Sequence, residues 1–321
     1  MSRPAVLITR VVPDSVTARL ASACAIDLYT GADAIPGDEL RARLAGKQAL
    51  MCLLTDRIDA GVLDAAQGLL IVANIAVGFD NIDRAAARAR GIVITNTPDV
   101  LTEATADLTW GLMLAVMRRI PEGERLLRRG EWKGWALDFL LGSDLRHKQL
   151  GIVGFGRIGR AVAARAGAFG MRVVYTTLDA DSPGPECAGH TRGTFDEVLA
   201  TSDVVSFHVP LMPETRHLIN RRTLARMKRG AYLVNTSRGP VVDEDALAWA
   251  LREGLIGGAA LDVYEREPVV HPELLALENV VLAPHIGSAT VETRTAMADL
   301  AARNVLAVLS GRAPLTPIPP G

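Results

Sequence analysis

The chain has 321 residues, of which 49% are hydrophobic and 22% are charged, so it can bury a large core in about two domains. Lys and Arg total 35 against 36 Asp and Glu, and the net charge of −1 gives no electrostatic reason to expect a nucleic-acid or membrane partner. The three cysteines, Cys24, Cys52 and Cys187, follow no ligand or disulfide spacing, so we expect no metal site, reduced thiols in a cytoplasm, and small molecules as partners.

The first hundred residues alternate short apolar runs with helical patterns such as 14–23 and 59–66. This alternation predicts a parallel sheet covered by helices on both faces. The predicted strands are 5–9, 26–29, 49–54, 70–74 and 92–95.

A long helix follows, predicted over 102–119, with Thr102 as its N-cap and Pro121 beyond its end. The strongly apolar part of this helix, 108–117, is too short to cross a bilayer. A helix of this length is suited to bridge two domains.

A glycine-rich turn comes next, where residues 150–159 read L-G-I-V-G-F-G-R-I-G and lead into a helical stretch over 160–169. In the pattern G-x-G-x-x-G the first glycine permits a tight bend, the second lets the backbone approach a pyrophosphate, and the third lets the helix pack on the strand. Free N–H groups at the start of the helix would point at the phosphates. The turn therefore predicts dinucleotide binding by Gly154, Phe155, Gly156, Arg157, Ile158 and Gly159.

A second series of strands starts at residue 149, and the chain then ends in a predicted helix over 291–309 and a Pro-rich tail, 314–321, that we expect to be frayed. The predicted sheet of the first domain needs a further helix to cover it, and the second domain is complete by Ala283. We therefore expect the last helix to return to the first domain. The predicted domains are a substrate-binding domain of 1–99 with 288–321 and a dinucleotide-binding domain of 100–287, with a cleft between them. The further strands of the second series are 172–176, 204–209, 232–236, 259–263 and 280–283.

Three polar motifs each follow a predicted strand of the second series. They read N-T-S-R-G at 235–239, D-V-Y-E-R-E-P at 262–268 and A-P-H-I-G-S-A-T at 283–290. In a doubly wound sheet the carboxyl ends of the strands face the ligand crevice, so we expect all three motifs to meet at the reactive end of the cofactor.

With these motifs the chain resembles the D-isomer-specific 2-hydroxyacid dehydrogenases over essentially its whole length, and within that family the glyoxylate/hydroxypyruvate reductases. The resemblance implies an α/β fold of two doubly wound parallel-sheet domains, with a Rossmann cofactor domain inserted into a flavodoxin-like substrate domain. It also implies NAD(P)H-dependent reduction of a small 2-oxo acid, glyoxylate or hydroxypyruvate, to the D-2-hydroxy acid. Further motifs that carry it are N-I-A-V-G-F-D-N-I-D at 74–83, L-T-E-A-T-A-D-L-T-W at 101–110 and G-E-W-K-G-W at 130–135.

By the same resemblance Arg238, Glu267 and His285 form a catalytic triad. His285 would be the general acid that protonates the carbonyl oxygen as hydride arrives, and the base in the reverse direction. Glu267 would hold the imidazole and favour its protonated form. Arg238 offers a planar fork that can grip the substrate oxygens and stabilise negative charge on them.

The resemblance also assigns the remaining contacts. The substrate carboxylate would rest on the backbone N–H groups of Val77 and Gly78, a nest that needs little side chain. Asp262 is expected near the nicotinamide amide and Thr105 near the phosphates, although Asp262 could equally cap a turn. The other expected cofactor contacts are Thr236, Ser237 and Gly287 beside the ring and Pro210 and Thr215 on the adenine side.

Dinucleotide enzymes select NAD or NADP at the end of the second strand, where an acid binds the ribose 2′-hydroxyl or an Arg binds a 2′-phosphate. Here the strand ends V-V-Y-T-T-L-D, and the decisive Thr177 is followed by Leu178, so neither charge is present. Asp179 lies two places late and could approach NAD, whereas Thr177 with Arg157 could receive a phosphate. The reductase likeness favours NADP slightly, and we expect both cofactors to work within about tenfold of each other.

The apolar segment 132–142, W-K-G-W-A-L-D-F-L-L-G, sits on no clear strand or helix. It could be a core loop, but an exposed apolar patch of this size is unusual on a monomer. Since the family pairs across this region, we expect a homodimer in which Trp135 reaches the substrate cleft of the neighbouring subunit.

Other functions are also compatible with the same motifs. Phosphite dehydrogenases resemble this chain but typically place Lys where it has Val77, and the extra features of formate dehydrogenases are not evident. Dinucleotide-sensing corepressors keep a similar triad, so the triad alone does not exclude a binding role. The match at W-K-G-W and L-T-E-A-T-A-D to metabolic reductases favours the enzyme.

Overall fold

A computed structural model describes residues 3–177 and 189–319. Three of the residues discussed above, Leu178, Asp179 and Cys187, lie outside this range. The chain divides into two compact units, one of Met1–Leu101 with Ser288–Gly321 and one of Thr102–Gly287. Among the described residues, no helix is long and apolar enough to cross a membrane.

The first unit is built on a parallel sheet in the order β2-β1-β3-β4-β5. This is the flavodoxin-like order, which confirms the predicted fold class. Every residue of β3 and β4 is buried, as expected for strands covered on both faces. The strands are β1 Ala5–Ile8, β2 Ala25–Leu28, β3 Ala49–Cys52, β4 Ile71–Asn74 and β5 Val93–Thr95, and the helices are α1 Asp14–Ala21, α2 Gly37–Leu44, α3 Ala60–Ala65 and α4 Arg84–Ala89.

The last helix of the chain, α12, spans Val291–Leu309, the predicted range. It contacts α1, β3 and β4 and so lies on the first sheet. Its N-cap is Thr290, whose side chain accepts a hydrogen bond from the backbone of Thr293.

The tail after α12 is ordered over 315–318, so the expectation of fraying is wrong there. The buried amide of Asn304 accepts from the backbone N–H groups of Leu315 and Thr316 and donates to the Thr316 hydroxyl. Ile318 is buried, and its N–H donates to the Ile94 carbonyl beside β5. One internal asparagine therefore replaces the hydrogen bonds that a Pro-rich segment cannot supply to itself.

The second unit holds a parallel sheet in the order β12-β11-β10-β9-β6-β7-β8. Counted from the glycine-turn strand β6, this is the Rossmann order with one added edge strand, as predicted. The strands are β6 Gln149–Val153, β7 Arg172–Thr176, β8 Thr191–Arg192, β9 Val204–Phe207, β10 Tyr232–Asn235, β11 Gly258–Leu261 and β12 Val280–Leu282, and the helices are α5 Thr102–Met117, α6 Ile120–Arg128, α7 Arg157–Ala166, α8 Phe195–Thr201, α9 Arg221–Leu224, α10 Glu244–Arg252 and α11 Pro272–Ala276.

Helix α5 ends two residues before its predicted end. Arg119 takes a left-handed conformation with φ 53°, and Pro121 then lies in the first turn of α6. Pro121 thus starts a helix that the sequence pattern missed, because proline is favoured in a first turn as well as beyond an end. Helix α5 itself packs on α7, where the indole of Trp110 donates to the Val162 carbonyl.

Replacing Asn304 by Ala should lower the free energy of unfolding by about 1–3 kcal/mol, because the N–H groups of Leu315 and Thr316 lose their buried acceptor. Urea titration followed by circular dichroism measures this change. The exposed neighbour Arg303, changed to Ala, is the control and should shift stability far less. Equal stability of the two variants would show that the tail is not held by Asn304.

Candidate active site

Two of the three glycines in the turn between β6 and α7, Gly154 and Gly159, have no room for a side chain. Gly154 has φ +96°, and a Cβ there would lie 2.7 Å from the backbone of His208. A Cβ on Gly159 would lie 2.2 Å from the Gly154 carbonyl oxygen, so the third glycine is needed for strand and helix to touch. Gly156 faces open space and is the N-cap of α7 without a side-chain cap, which leaves the helix N–H groups for a ligand. The turn therefore fits a dinucleotide pyrophosphate.

The other residues of the turn divide between core and surface. The side chain of Phe155 is buried and stacks on Tyr175 at 3.8 Å, so only its backbone can meet a ligand. Ile158 packs partly against the same core, whereas Arg157 opens α7 and is exposed.

The loop after β10 carries Arg238 and is shaped by one buried amide. Asn235 accepts from both the backbone N–H and the hydroxyl of Ser237, and it donates to the Arg238 carbonyl at 2.9 Å. Ser237 therefore serves the loop, and the Arg238 guanidinium also donates to the Ser237 carbonyl. This local network gives N-T-S-R-G a fixed turn at the carboxyl end of its strand.

His285 and Glu267 form a direct pair at the ends of two neighbouring strands. Nδ1 of His285 lies 2.8 Å from Oε2 of Glu267, and Oε1 of Glu267 accepts from the Tyr264 N–H. A carboxylate can only accept, so Nδ1 carries the hydrogen and Nε2 is left for a substrate. The structure thus brings together two of the three predicted catalytic residues in direct contact.

Burial tends to raise the pKa of Glu267, but the interactions with His285, the hydrogen bond from the Tyr264 N–H and the positive charge of Arg238 together outweigh it, so the pKa lies below its ordinary value. Glu267 is therefore ionised at neutral pH and accepts the hydrogen of His285 Nδ1. Arg238 directly precedes Gly239, whose backbone packs against Tyr264, and its positive charge is among the causes that lower the pKa of Glu267.

Asp262 holds the loop that carries His285. Its two carboxylate oxygens accept from the N–H groups of Ile286 and Gly287 at 2.7 and 2.8 Å, and its carbonyl accepts from the His285 N–H. Burial raises the pKa of Asp262. The residue expected beside the nicotinamide amide thus also fixes the backbone of the proton donor, and its direct contact with the cofactor stays a prediction.

Gly239 locks the Arg238 loop against the Glu267 loop. A Cβ at Gly239 would lie 1.8 Å from the carbonyl carbon of Tyr264, so only glycine permits this approach. The Tyr264 hydroxyl donates to the Ala283 carbonyl at 2.9 Å, and burial raises the pKa of this tyrosine to about 12, so it remains a neutral donor. One backbone contact and one phenol therefore join all three loops.

The loop that carries Glu267 is also held by a clamp, the reciprocal contact between Glu244 and Glu265, which the sequence did not reveal. Glu244, the first residue of α10, accepts from the Glu265 N–H at 2.9 Å, and Glu265 accepts from the Glu244 N–H at 3.4 Å. Glu265 also contacts the His217 ring at 2.6 Å. No motif signals these residues, because the clamp depends on helix and loop meeting in space.

Three other residues predicted to contact the cofactor, Thr105, Thr236 and Thr215, have defined neighbours in the structure. Thr105 is buried, and its side chain would lie 3.5 Å from a Cβ placed on Gly287. Thr236 shares a hydrogen bond of 2.9 Å with Thr109, a residue not predicted. The hydroxyl of Thr215 donates to the Pro210 carbonyl and is fully buried, so Thr215 shapes the loop, and its own contact with a cofactor stays a prediction.

His208 has a structural environment. Its Nε2 lies 2.9 Å from the Ser206 hydroxyl, and burial lowers its pKa to about 3. The ring is therefore neutral at physiological pH.

In the first unit, the turn at Val77 and Gly78 is held by its carbonyl groups. Asn96 donates to the Val77 carbonyl and Asn74 to the Gly78 carbonyl, each at 2.8 Å. No acceptor for the N–H groups of Val77 and Gly78 occurs within residues 3–177 and 189–319. Two asparagines that the sequence analysis did not single out thus orient the nest predicted for the substrate carboxylate.

The segment 132–142 is largely exposed. Trp135 and Leu137 are each 81% exposed and Leu141 is 64% exposed. The core-loop interpretation of this segment is therefore wrong for these side chains.

Comparison with known proteins agrees with this site. Residues 110–287 match the family described as D-isomer specific 2-hydroxyacid dehydrogenase, NAD binding domain. The chain is 48% identical over 319 residues to the glyoxylate reductase of Thermofilum pendens (strain DSM 2475 / Hrk 5), covering 98% of this chain and 94% of that enzyme.

Two solved structures are similar along nearly the full length. A Thermus thermophilus protein has a TM-score of 0.92 and 49% identity, covering 98% of this chain and 99% of that one. The NADPH-dependent glyoxylate/hydroxypyruvate reductase from Sinorhizobium meliloti, in complex with NADP and malonate, has a TM-score of 0.88 and 38% identity, covering 99% and 97%. The chain belongs to the D-isomer specific 2-hydroxyacid dehydrogenase family, which confirms the resemblance and makes the protein an NAD(P)-dependent oxidoreductase.

The change Gly239→Ala should lower kcat/KM for a 2-oxo acid by about a hundredfold, because the new Cβ must push the Arg238 loop away from Tyr264. Steady-state kinetics with NADPH measure the loss. Gly111→Ala, where a Cβ meets nothing within 4 Å, is the matched control and should leave kcat/KM near native. Native kcat/KM in a folded Gly239→Ala protein would contradict the role of this contact.

Proposed function

We propose that the protein reduces a small 2-oxo acid, glyoxylate or hydroxypyruvate, to the corresponding D-2-hydroxy acid with NADPH or NADH. The observation that carries this proposal is the 2.8 Å contact between His285 Nδ1 and the Glu267 carboxylate, with Arg238 on the loop that Gly239 packs against Tyr264. The named activities of the Thermofilum and Sinorhizobium enzymes support these substrates.

A bound reduced nicotinamide supplies hydride to the carbonyl carbon of the oxo acid. As the carbonyl bond opens, the electron pair moves to oxygen, and His285, entering the step protonated at both ring nitrogens, donates the Nε2 proton there to complete the hydroxyl group. Glu267 keeps its contact with Nδ1 throughout, so the imidazole does not turn when it loses the proton. In the oxidation direction Nε2 accepts the same proton.

Arg238 offsets the negative charge that grows on the carbonyl oxygen before the proton arrives. Its guanidinium can also hold one carboxylate oxygen of the substrate. The N–H groups of Val77 and Gly78, oriented by Asn96 and Asn74, are assigned to the rest of that carboxylate. Fixing the carboxylate places the carbonyl carbon for transfer.

The glycine turn at 154–159 is assigned to the cofactor pyrophosphate, and Thr236, Asp262 and Gly287 to the nicotinamide end. We favour NADPH over NADH, as in the named activity of the Sinorhizobium enzyme. The cytoplasm remains the predicted compartment for this chemistry.

We also propose a homodimer formed through the segment 132–142. The exposed side chains of Trp132, Trp135, Leu137 and Leu141 make an apolar surface that a partner copy would cover. Trp135 of one copy is assigned to the substrate cleft of its partner.

Changing His285 to Ala should lower kcat by at least about a hundredfold with little change in NADPH affinity, because the proton donor is lost while the cofactor contacts remain. Stopped-flow oxidation of NADPH with glyoxylate, hydroxypyruvate and 2-oxoglutarate gives the rate, and fluorescence titration gives the affinity. A variant that remains nearly as fast would remove His285 from the mechanism. A native protein that turns over none of the three acids would favour a dinucleotide-sensing role.

The double change Trp135→Glu and Leu137→Glu should convert the dimer to monomers, since it places charges in an apolar interface. Sedimentation velocity measures the state. Val291→Glu, which alters another highly exposed apolar residue outside this segment, is the control and should remain dimeric. A native protein that is monomeric and fully active on dilution would overturn the dimer proposal.

A further inference from the structure

A cation reaches the position where the cofactor's ribose is expected. Strand β8 pairs in parallel with β7, and Arg192 stands in register with Tyr175. Across this pairing the Arg192 guanidinium donates to the hydroxyl of Thr177 at 3.3 Å. Thr177 is the residue that directly follows β7. The positive charge that V-V-Y-T-T-L-D lacks at this position is therefore supplied by Arg192 from the neighbouring strand β8.

The end of β7 is tied to the glycine turn. The Gly154 N–H donates to the Thr176 carbonyl at 3.0 Å, so Thr177 leaves the sheet directly beside the predicted pyrophosphate site. In doubly wound nucleotide-binding domains the end of this second strand meets the ribose 2′ position. An acid there binds a 2′-hydroxyl, whereas a guanidinium suits a 2′-phosphate.

The backbone that carries Arg192 is firmly placed although its side chain is exposed. The N–H of Gly193 donates to the Tyr175 carbonyl at 2.9 Å, and a Cβ on Gly193 would lie 3.3 Å from Val174 and Glu197. Thr194 then caps α8 in a reciprocal box with Glu197. A guanidinium on a fixed strand end loses less freedom on binding than one on a mobile loop.

We propose that Arg192 selects the cofactor by binding the 2′-phosphate of NADP, with the Thr177 hydroxyl as a neighbouring hydrogen-bond group. The proposal rests on the dinucleotide use proposed above and names a residue for its preference. Arg192 forms charge-assisted hydrogen bonds to phosphate oxygens, and these bonds have no counterpart in NAD. The neutral Thr177 offers no carboxylate for the 2′-hydroxyl of NAD, which favours the same choice.

The test compares Arg192→Gln with Arg172→Gln. Arg172 is an exposed residue at the amino-terminal end of β7. Arg172→Gln therefore removes the same charge at the end of the strand opposite to Thr177. Isothermal titration uses two probe pairs, NADPH with NADH and adenosine 2′,5′-bisphosphate with adenosine 5′-monophosphate. Arg192→Lys, which keeps a point charge, is the conservative variant.

Arg192→Gln should weaken NADPH and the bisphosphate by about tenfold to a hundredfold and change NADH and the monophosphate by less than about twofold. Arg192→Lys should recover part of the loss, and Arg172→Gln should bind as the native protein does. Equal weakening of both members of a pair would indicate a role in the fold of this edge, and no weakening would show that Arg192 does not meet the 2′ group. Either result overturns the proposal.

The two proposals fail separately. A protein that binds NADPH through Arg192 but reduces no 2-oxo acid contradicts the proposed function and keeps the assignment of Arg192. A protein that reduces glyoxylate and is indifferent to Arg192→Gln contradicts only this assignment. A native protein that binds none of the four probes contradicts both.

Discussion

The hydrogen bond between His285 and Glu267 is the interaction on which the account of the site depends. It joins the loops that follow β12 and β11, and it requires an ionised carboxylate as the acceptor of the Nδ1 hydrogen. Because Oε1 is bound by the Tyr264 N–H, the carboxylate cannot rotate away from the imidazole without losing a second bond. The geometry therefore directs Nδ1 to Glu267 and leaves Nε2 for the proposed proton transfer.

Other contacts keep that bond in place. Asp262 grips the backbone beyond His285, and Gly239 lets the Arg238 loop touch the peptide that precedes Glu267. Asp262 and Gly239 act through the backbone, so they fix the loops that carry His285 and Arg238. Pre-organisation of this kind reduces what must reorganise during proton transfer.

The sequence predicted the sheets and the pairing of His285 with Glu267 because both leave local signals. Apolar runs with glycine breaks marked the strands, and the order of three motifs at strand ends placed Arg238, Glu267 and His285 in one unit, where the structure also has them. The Glu244 and Glu265 clamp and the pairing of Arg192 with Thr177 leave no such signal, since each depends on elements that meet only after folding.

Sequence patterns missed or misplaced three local features, namely strand β8, the ordered tail and the position of Pro121. A two-residue strand such as β8 is too short for periodicity to reveal, and the tail was expected to fray because its composition does not show that Asn304 will bind it. Pro121 was placed beyond a helix when it begins the next one, because proline fits both positions. Local patterns therefore predicted the elements, and side-chain partners required the structure.

A double-mutant cycle on kcat, with His285→Ala, Glu267→Gln and both changes together, tests the central pair most directly. If Glu267 acts through the imidazole, removing it from a protein that already lacks His285 should cost less than about twofold, so the double variant matches His285→Ala. If the two losses multiply instead, Glu267 acts independently of His285 and the paired proton donor is contradicted.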